Sequence, residues 1–215
     1  MNIFAEKNIA QAYDAYYQSE QGRAIDELEK QAIRQLLEPV TPGEMLEIGC
    51  GTGHWTAFFS ELDFRVTATD VADEMMNLAK EKALPNVRFM TADVRQLPFA
   101  DCTFDQVAVI TALEFCGDVE KAFSEIKRVL KPGGWLITGC LNAASTLGKT
   151  KHHDPVFQHG DFMTSDQLTK HLLKIGEPTV LECVHLSADF RLLDETDEKH
   201  TAPGVFLAAA VQKRN

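Results

Sequence analysis

No stretch of this chain is apolar for long enough to cross a membrane. The longest uninterrupted run, residues 205–211, falls far short of the roughly 20 residues a spanning helix needs. No basic segment followed by an apolar block opens the chain, so a secretory leader is not expected and the cytoplasm is the expected location. Cysteine is sparse. Cys50, Cys102, Cys116, Cys140 and Cys183 are scattered, odd in number and without a CxxC pair. That removes the spacing of a zinc knuckle or a thioredoxin-type site and leaves reduced thiols as the expectation. Positive charge is also short: 21 Lys and Arg stand against 32 Asp and Glu, a net of −11, with no basic cluster. Nucleic-acid binders ordinarily carry a basic footprint because phosphate neutralisation dominates their affinity, so DNA and RNA are not expected partners.

What is present is globular. With 215 residues, 45% hydrophobic and 25% charged, the composition suits one domain and excludes disorder or a coiled coil. Between residues 45 and 140, short apolar runs (45–48, 66–69, 87–90, 104–110 and 135–140) mostly alternate with helix-length segments. That rhythm predicts βαβ units and a parallel sheet with helices on both faces. Asp73 is placed to cap a helix reaching about residue 83, with Met75, Met76 and Ala79 on its buried side. Asp118 is placed to cap another, stopped by Lys131-Pro132-Gly133-Gly134. Upstream, Ile25, Leu28, Ala32, Ile33, Leu36 and Leu37 recur at helical spacing. After residue 140 the rhythm changes. Residues 143–163 read as an irregular connection, Thr164 or Ser165 opens a helix to about 175, and 179–186 and 204–212 read as strands. The polar segment 188–202 between them is long for a hairpin turn.

The strongest chemical signal is Leu46-Glu47-Ile48-Gly49-Cys50-Gly51-Thr52-Gly53-His54-Trp55, a strand running into alternating glycines and a helix start. Glycines there let the backbone turn tightly and bring N–H groups close to a ligand, and the helix N-terminus adds partial positive charge. His54 stands where the dinucleotide fingerprint GxGxxG requires its last glycine. Asp70 ends the second strand, where a carboxylate can accept from both hydroxyls of a ribose. Asp93 ends the third, followed by Val94.

The order Glu-x-Gly-x-Gly-x-Gly, with Asp70 and Asp93 in register behind it, resembles the class I methyltransferases that use S-adenosylmethionine. Residues 97–105 (LPFADCTFD) and 128–134 (RVLKPGG) look like the small-molecule, methyltransferase type 11 branch of that family. The resemblance is close over residues 40–141 and holds only in pattern at the two ends. It implies a Rossmann-like α/β three-layer sandwich: a seven-stranded, mostly parallel sheet whose last strand is antiparallel. It also implies a single domain over 1–215, with an N-terminal helical lid at 1–38, a cofactor-binding core at 40–141, and a substrate-side loop, helix and last two strands at 142–215. S-adenosylmethionine is the implied cofactor. Gly49, Cys50, Gly51 and Gly53 would face its methionine part, and Glu47 would help hold its ammonium. Asp70 would take the ribose, and Asp93 the adenine amino group, with the Val94 N–H reaching the ring. Val71 and Met75 would line the adenine slot, and Thr111 would stand beside the sulfonium. Tyr13, in the tyrosine-rich segment 13–17, would close over the cofactor, or else simply pack its helix.

The sequence departs from the family where some members carry a histidine base, reading Leu113-Glu114-Phe115 instead. The catalytic residues therefore stay unassigned, with Glu114 and Tyr13 as the candidates; Glu114 reads equally as an acid near a helix start. His152, His153, His159 and Asp161 lack a recognised ligand spacing, so no metal is expected and the loop is read as polar surface beside the substrate. The expected activity is methyl transfer to a small-molecule acceptor by in-line displacement, with no membrane partner. The alternatives are an RNA or protein methyltransferase, or a non-catalytic S-adenosylmethionine-binding module. No Asn-Pro-Pro-Tyr motif follows the fourth strand to favour base modification.

Overall fold

Strands separated by helices return to the same end of a sheet, so consecutive ones run parallel. The computed structural model describes Phe4, residues 7–193 and residues 202–214. Its strands are β1 (Glu44–Ile48), β2 (Arg65–Asp70), β3 (Val87–Thr91), β4 (Phe104–Ile110), β5 (Leu130–Leu141), β6 (Pro178–Cys183) and β7 (Phe206–Gln212). They form one seven-stranded sheet in the order β3-β2-β1-β4-β5-β7-β6. The pairings from β3 through β5 are parallel, and β7 is antiparallel to both its neighbours. This is the Rossmann-like sheet the resemblance implied.

The helices are α1 (Lys7–Gln18), α2 (Glu20–Leu37), α3 (His54–Glu61), α4 (Asp73–Glu81), α5 (Val119–Val129), α6 (Thr146–Thr150) and α7 (Ser165–Leu172). The two-residue period of a strand sorts the core into two layers. Phe206, Ala208 and Ala210 of β7 join Ile33 of α2 and Phe59 of α3 on one face. Leu207, Ala209 and Val211 join Ile126 of α5 and Leu168 of α7 on the other. Near-continuous apolar strands are thus the signature of a sheet covered on both sides. Among the described residues, no helix is long and apolar enough to cross a membrane.

Several expected boundaries shift. Asp73 lies inside α4, whose N-cap is Ala72 without a side-chain bond; the Asp73 carboxylate instead accepts from the Thr91 hydroxyl at 3.2 Å. Asp118 does cap α5, accepting from Lys121 N at 3.0 Å. The segment Lys131-Pro132-Gly133-Gly134 does not precede β5 but bulges within it: Phe104 pairs with Leu130 and Gln106 with Trp135, while Gly133 takes φ +72°. Residues 143–163 hold α6 and two 3₁₀ turns, Lys151–His153 and Phe157–His159, rather than wholly irregular chain. Thr164 opens α7 through a reciprocal capping box with Gln167. α7 ends at Leu172, three residues early, and β6 ends at Cys183, just before Val184 adopts φ +60°. Of the polar segment 188–202, residues 194–201 lie outside the described residues. The two family-like stretches clasp each other: Arg128 donates to Phe99 O at 2.7 Å and to Leu97 O at 3.0 Å, and Glu125 accepts from Leu97 N at 2.8 Å.

Gly139 of β5 sits where a side chain has no room, because a Cβ there would lie 2.2 Å from Phe206 Cζ and 3.0 Å from Ile110 Cγ2. Its carbonyl accepts from Thr111 N at 2.7 Å, just past the end of β4. Gly139→Ala should lower stability by about 1–3 kcal/mol through overpacking, read as a lower urea midpoint at unchanged slope. Adding Phe206→Leu, which shortens the colliding ring, should recover part of the loss.

Candidate functional site

An open parallel sheet has its natural ligand crevice at the carboxyl ends of the strands, where the strand order reverses. Here the reversal falls between β1 and β4, and a cavity of about 580 Å³ opens there. Its floor is the turn that follows β1. Gly49 at φ +69° lets the chain leave the strand, and its bare Cα is needed because a Cβ would lie 2.3 Å from that of Ala112. The turn is pinned to β2: Cys50 N donates to Thr69 O at 2.9 Å, and Gly51 N donates to Asp70 Oδ2 at 2.8 Å. The other Asp70 oxygen accepts from Ala72 N at 2.8 Å. Burial raises the Asp70 pKa, and the backbone N–H groups of Ala72, Gly51 and Val71 oppose that rise.

Of the residues singled out in the sequence, Tyr13, Gly49, Gly51, Asp70, Val71, Met75, Asp93, Val94 and Thr111 lie on the cavity wall. Glu47, Cys50 and Gly53 do not; they stand behind it. Glu47 is 2% exposed, its Oε2 has no hydrogen-bond partner, and burial pushes its pKa up to about 8, with the Thr56 hydroxyl lowering it and Asp70 raising it further. Gly53 is the N-cap of α3. Asp93 faces the cavity with its carboxylate engaged by Arg95, through the guanidinium at 2.6 Å and the backbone N at 2.8 Å; these bonds hold its pKa below the usual range. Thr111 carries a positive φ of 48°, a strained conformation for a β-branched residue.

Glu114 lies away from the wall, between wall residues Ala112 and Phe115. It is 1% exposed, one oxygen accepts from Leu141 N at 2.5 Å and the other has no partner. Burial raises its pKa to about 7, against the pull of the Leu141 N–H. Of the histidine-rich loop, only His159 reaches this cavity. His152 and His153 rest against each other, ring centroids 3.9 Å apart, and Asp161 borders a neighbouring hollow of about 220 Å³. Among the described residues, no group of three His, Cys, Asp or Glu side chains is placed to hold a metal ion.

Sequence reasoning did not single out Phe4, Arg95 or Cys116 as wall residues, and read His159 only as part of a polar loop beside the substrate. Phe4 and Phe115 meet edge to face at 4.9 Å, closing one side with rings more than a hundred positions apart. No local pattern marks such a pair. Arg95, two residues after Asp93, was the one local hint.

Residues 46–138 match the family model of a methyltransferase domain. An uncharacterized protein of Methanocaldococcus jannaschii is 27% identical over 218 residues, covering 99% of this chain and 100% of that protein. The malonyl-[acyl-carrier protein] O-methyltransferase of Erwinia pyrifoliae is 34% identical over 122 residues, covering 55% of this chain and 46% of that enzyme. The chain thus spans about half the length of that relative. Among solved structures, a SAM-dependent methyltransferase of Thermotoga maritima, described as a possible histamine N-methyltransferase, aligns with a TM-score of 0.74. At 20% identity over 98% of this chain and 99% of that one, the likeness is one of fold.

The raised pKa of Glu47 links stability to pH. A carboxyl that stays protonated in the fold up to about pH 8, but ionises near about 4.3 when unfolded, favours the fold fully below the lower value. That contribution falls as pH rises between the two and is gone above the higher. Glu47→Gln should therefore gain in thermal stability relative to the unaltered chain from pH 5 to pH 8. The slope for this one group is at most about 1.4 kcal/mol per pH unit. Parallel melting curves across that range would contradict the assignment.

Proposed function

We propose that this chain, which belongs to the class I S-adenosylmethionine-dependent methyltransferases, transfers a methyl group from S-adenosylmethionine to a small-molecule acceptor in the cytoplasm. The observation that carries the reading is the cradle at the β1–β2 ends: a glycine turn, an acid at its back with an orphaned oxygen, and Asp70 on the cavity wall. The donor set fits the cofactor. Each Asp70 oxygen accepts one backbone N–H and keeps lone-pair capacity for a hydroxyl, as two adjacent ribose hydroxyls require. The unpartnered Glu47 oxygen suits an ammonium, directly or through water. Val71, Met75 and Val94 offer apolar contact to an adenine ring, and Asp93 an acceptor for its amino group.

When bound, S-adenosylmethionine supplies a methyl group on an electrophilic sulfonium. The chain's own task is then alignment, exclusion of water and, for acceptors that need it, removal of a proton. Thr111 and Ala112 border the cavity at the end of β4, where the acceptor atom would be aligned. Helices α1 and α2 act as the lid, with Tyr13 on its inner side, and the loop that carries His159 forms the acceptor side. Tyr13 touches the cavity, whereas Glu114 is buried behind it and serves to hold Leu141 N. The acidic balance and the modest cavity support a small acceptor over a macromolecular one.

Calorimetry tests the cofactor. S-adenosylhomocysteine should bind, a nicotinamide dinucleotide should not, and Asp70→Ala should weaken binding at least about tenfold, since hydrogen bonds to a charged acceptor contribute roughly 1.5–3 kcal/mol each. Unchanged affinity in a folded Asp70→Ala chain would refute the ribose role. With methyl-labelled cofactor and a fractionated cell extract, label should enter the small-molecule fraction; label in precipitated RNA or protein would refute the acceptor class.

Glu47 provides a second readout. Protonated at pH 7 in the free protein because its pKa is about 8, it should ionise as it meets an ammonium. Binding at pH 7 should then release a proton, seen as a buffer-dependent heat that Glu47→Gln abolishes.

A further inference from the structure

Tyr13 reaches the cavity from α1, and its hydroxyl is held from within the same helix. The Tyr17 hydroxyl, one helical turn on, donates to the Tyr13 oxygen at 3.1 Å, and the two rings meet edge to face at 5.3 Å. Thr111, at the end of β4, lines the same cavity as Tyr13. With its oxygen accepting from Tyr17, Tyr13 keeps its own proton to offer, and so presents a hydrogen-bond donor to whatever fills the cavity.

Tyr17 is held in turn. Its ring lies flat on the imidazole of His54, centroids 3.7 Å apart and planes 11° from parallel. His54 is the first residue of α3, directly after the glycine turn, and its Nε2 bonds Asp26 Oδ1 of α2 at 2.7 Å. The second Asp26 oxygen accepts from Lys30 Nζ at 2.7 Å, so each oxygen of the carboxylate has a partner. Next to this stack, Asp14 of α1 accepts from the Thr52 hydroxyl within the glycine turn itself. Three helices therefore converge on the turn that floors the cavity, and the aromatic stack runs from that turn to the wall tyrosine.

We infer that Tyr17 and His54 are positioning residues: His54, anchored by Asp26, is the platform on which Tyr17 rests, and Tyr17 sets the Tyr13 hydroxyl as a donor to a carboxylate at the glycine-turn end of the cofactor. The inference rests on the cofactor reading above. It gives His54, which replaces a dinucleotide-type glycine, a role in place of that glycine's close packing. A merely structural stack would support α1 without caring about the Tyr17 hydroxyl; a positioning stack transmits that hydroxyl's loss to the ligand.

The test is a mutant cycle read by calorimetric affinity for S-adenosylhomocysteine, with melting temperature recorded alongside. Tyr13→Phe should weaken binding at least about tenfold, the range of a hydrogen bond to a charged acceptor, and Tyr17→Phe about two- to tenfold, the range of a neutral one. The double variant should be no weaker than the worse single one, because Tyr17 acts only through Tyr13. His54→Ala should lose as much as Tyr17→Phe, and His54→Phe, which restores a ring beneath Tyr17, should recover most of it. Wild-type affinity in Tyr17→Phe, or losses that multiply in the double variant, would overturn the positioning role while leaving the cofactor reading intact. Failure of the unaltered chain to bind, or indifference to Asp70→Ala, would instead strike the cofactor reading and the inference with it.

Discussion

One carboxylate ties the site together. Asp70 closes β2 and accepts, on its two oxygens, the backbone N–H of Gly51 from the turn after β1 and of Ala72 from the start of α4. Both turns are thereby tied to the end of β2, and the cavity is lined by Gly51 of the first and by Asp70 itself. A side chain that lost either bond would leave a turn with an unsatisfied donor at the edge of a partly buried site, the costly half of hydrogen-bond energetics. The oxygens that pin these turns are the same ones proposed to receive the ligand.

The price of that arrangement is carried by buried acids. Glu47, Glu114 and Glu29 are all nearly inaccessible, and burial lifts them to about 8, 7 and 8 respectively. A carboxyl in such surroundings sheds its charge rather than endure desolvation. Glu114 has an evident structural role through Leu141 N, and its backbone carbonyl accepts from Asp161 N at 2.7 Å, joining the β4 exit to the β5 exit and to the loop beyond. Glu47, two residues before the glycine turn, has an oxygen without a hydrogen-bond partner, and no structural bond accounts for it as Leu141 N does for Glu114. For Glu29, on α2 behind the tyrosines, the structure offers no such account.

The N-terminal helices are coupled to the floor of the cavity, not merely laid across it. Asp14 with Thr52, Tyr17 on His54 and His54 with Asp26 all join α1 or α2 to the glycine turn or the first turn of α3. If these helices cover the cofactor as proposed, their attachment to that turn would exclude water and keep their inner side chains in register with the ligand, which is what alignment-driven chemistry requires.

Much of this was legible in the chain before folding. Alternating apolar runs with intervening helical periods determine a doubly covered parallel sheet, and Glu47, the three glycines, Asp70 and Asp93 mark strand ends because turn chemistry is local. Asp118 and Thr164 announce their caps for the same reason. What only the tertiary structure decided is which of those marked residues touch the cavity and which stand behind it. Glu47 and Glu114 turn into the interior, Asp73 yields its cap to Ala72, and the wall is completed by Phe4, Phe115 and His159 from distant segments. Side-chain direction at a strand end follows from the packing of every neighbouring element, and contacts across a hundred residues leave no period in the sequence. Local spacing writes the order of the strands' ends, whereas the enclosure above them exists only once the whole sheet has been wound.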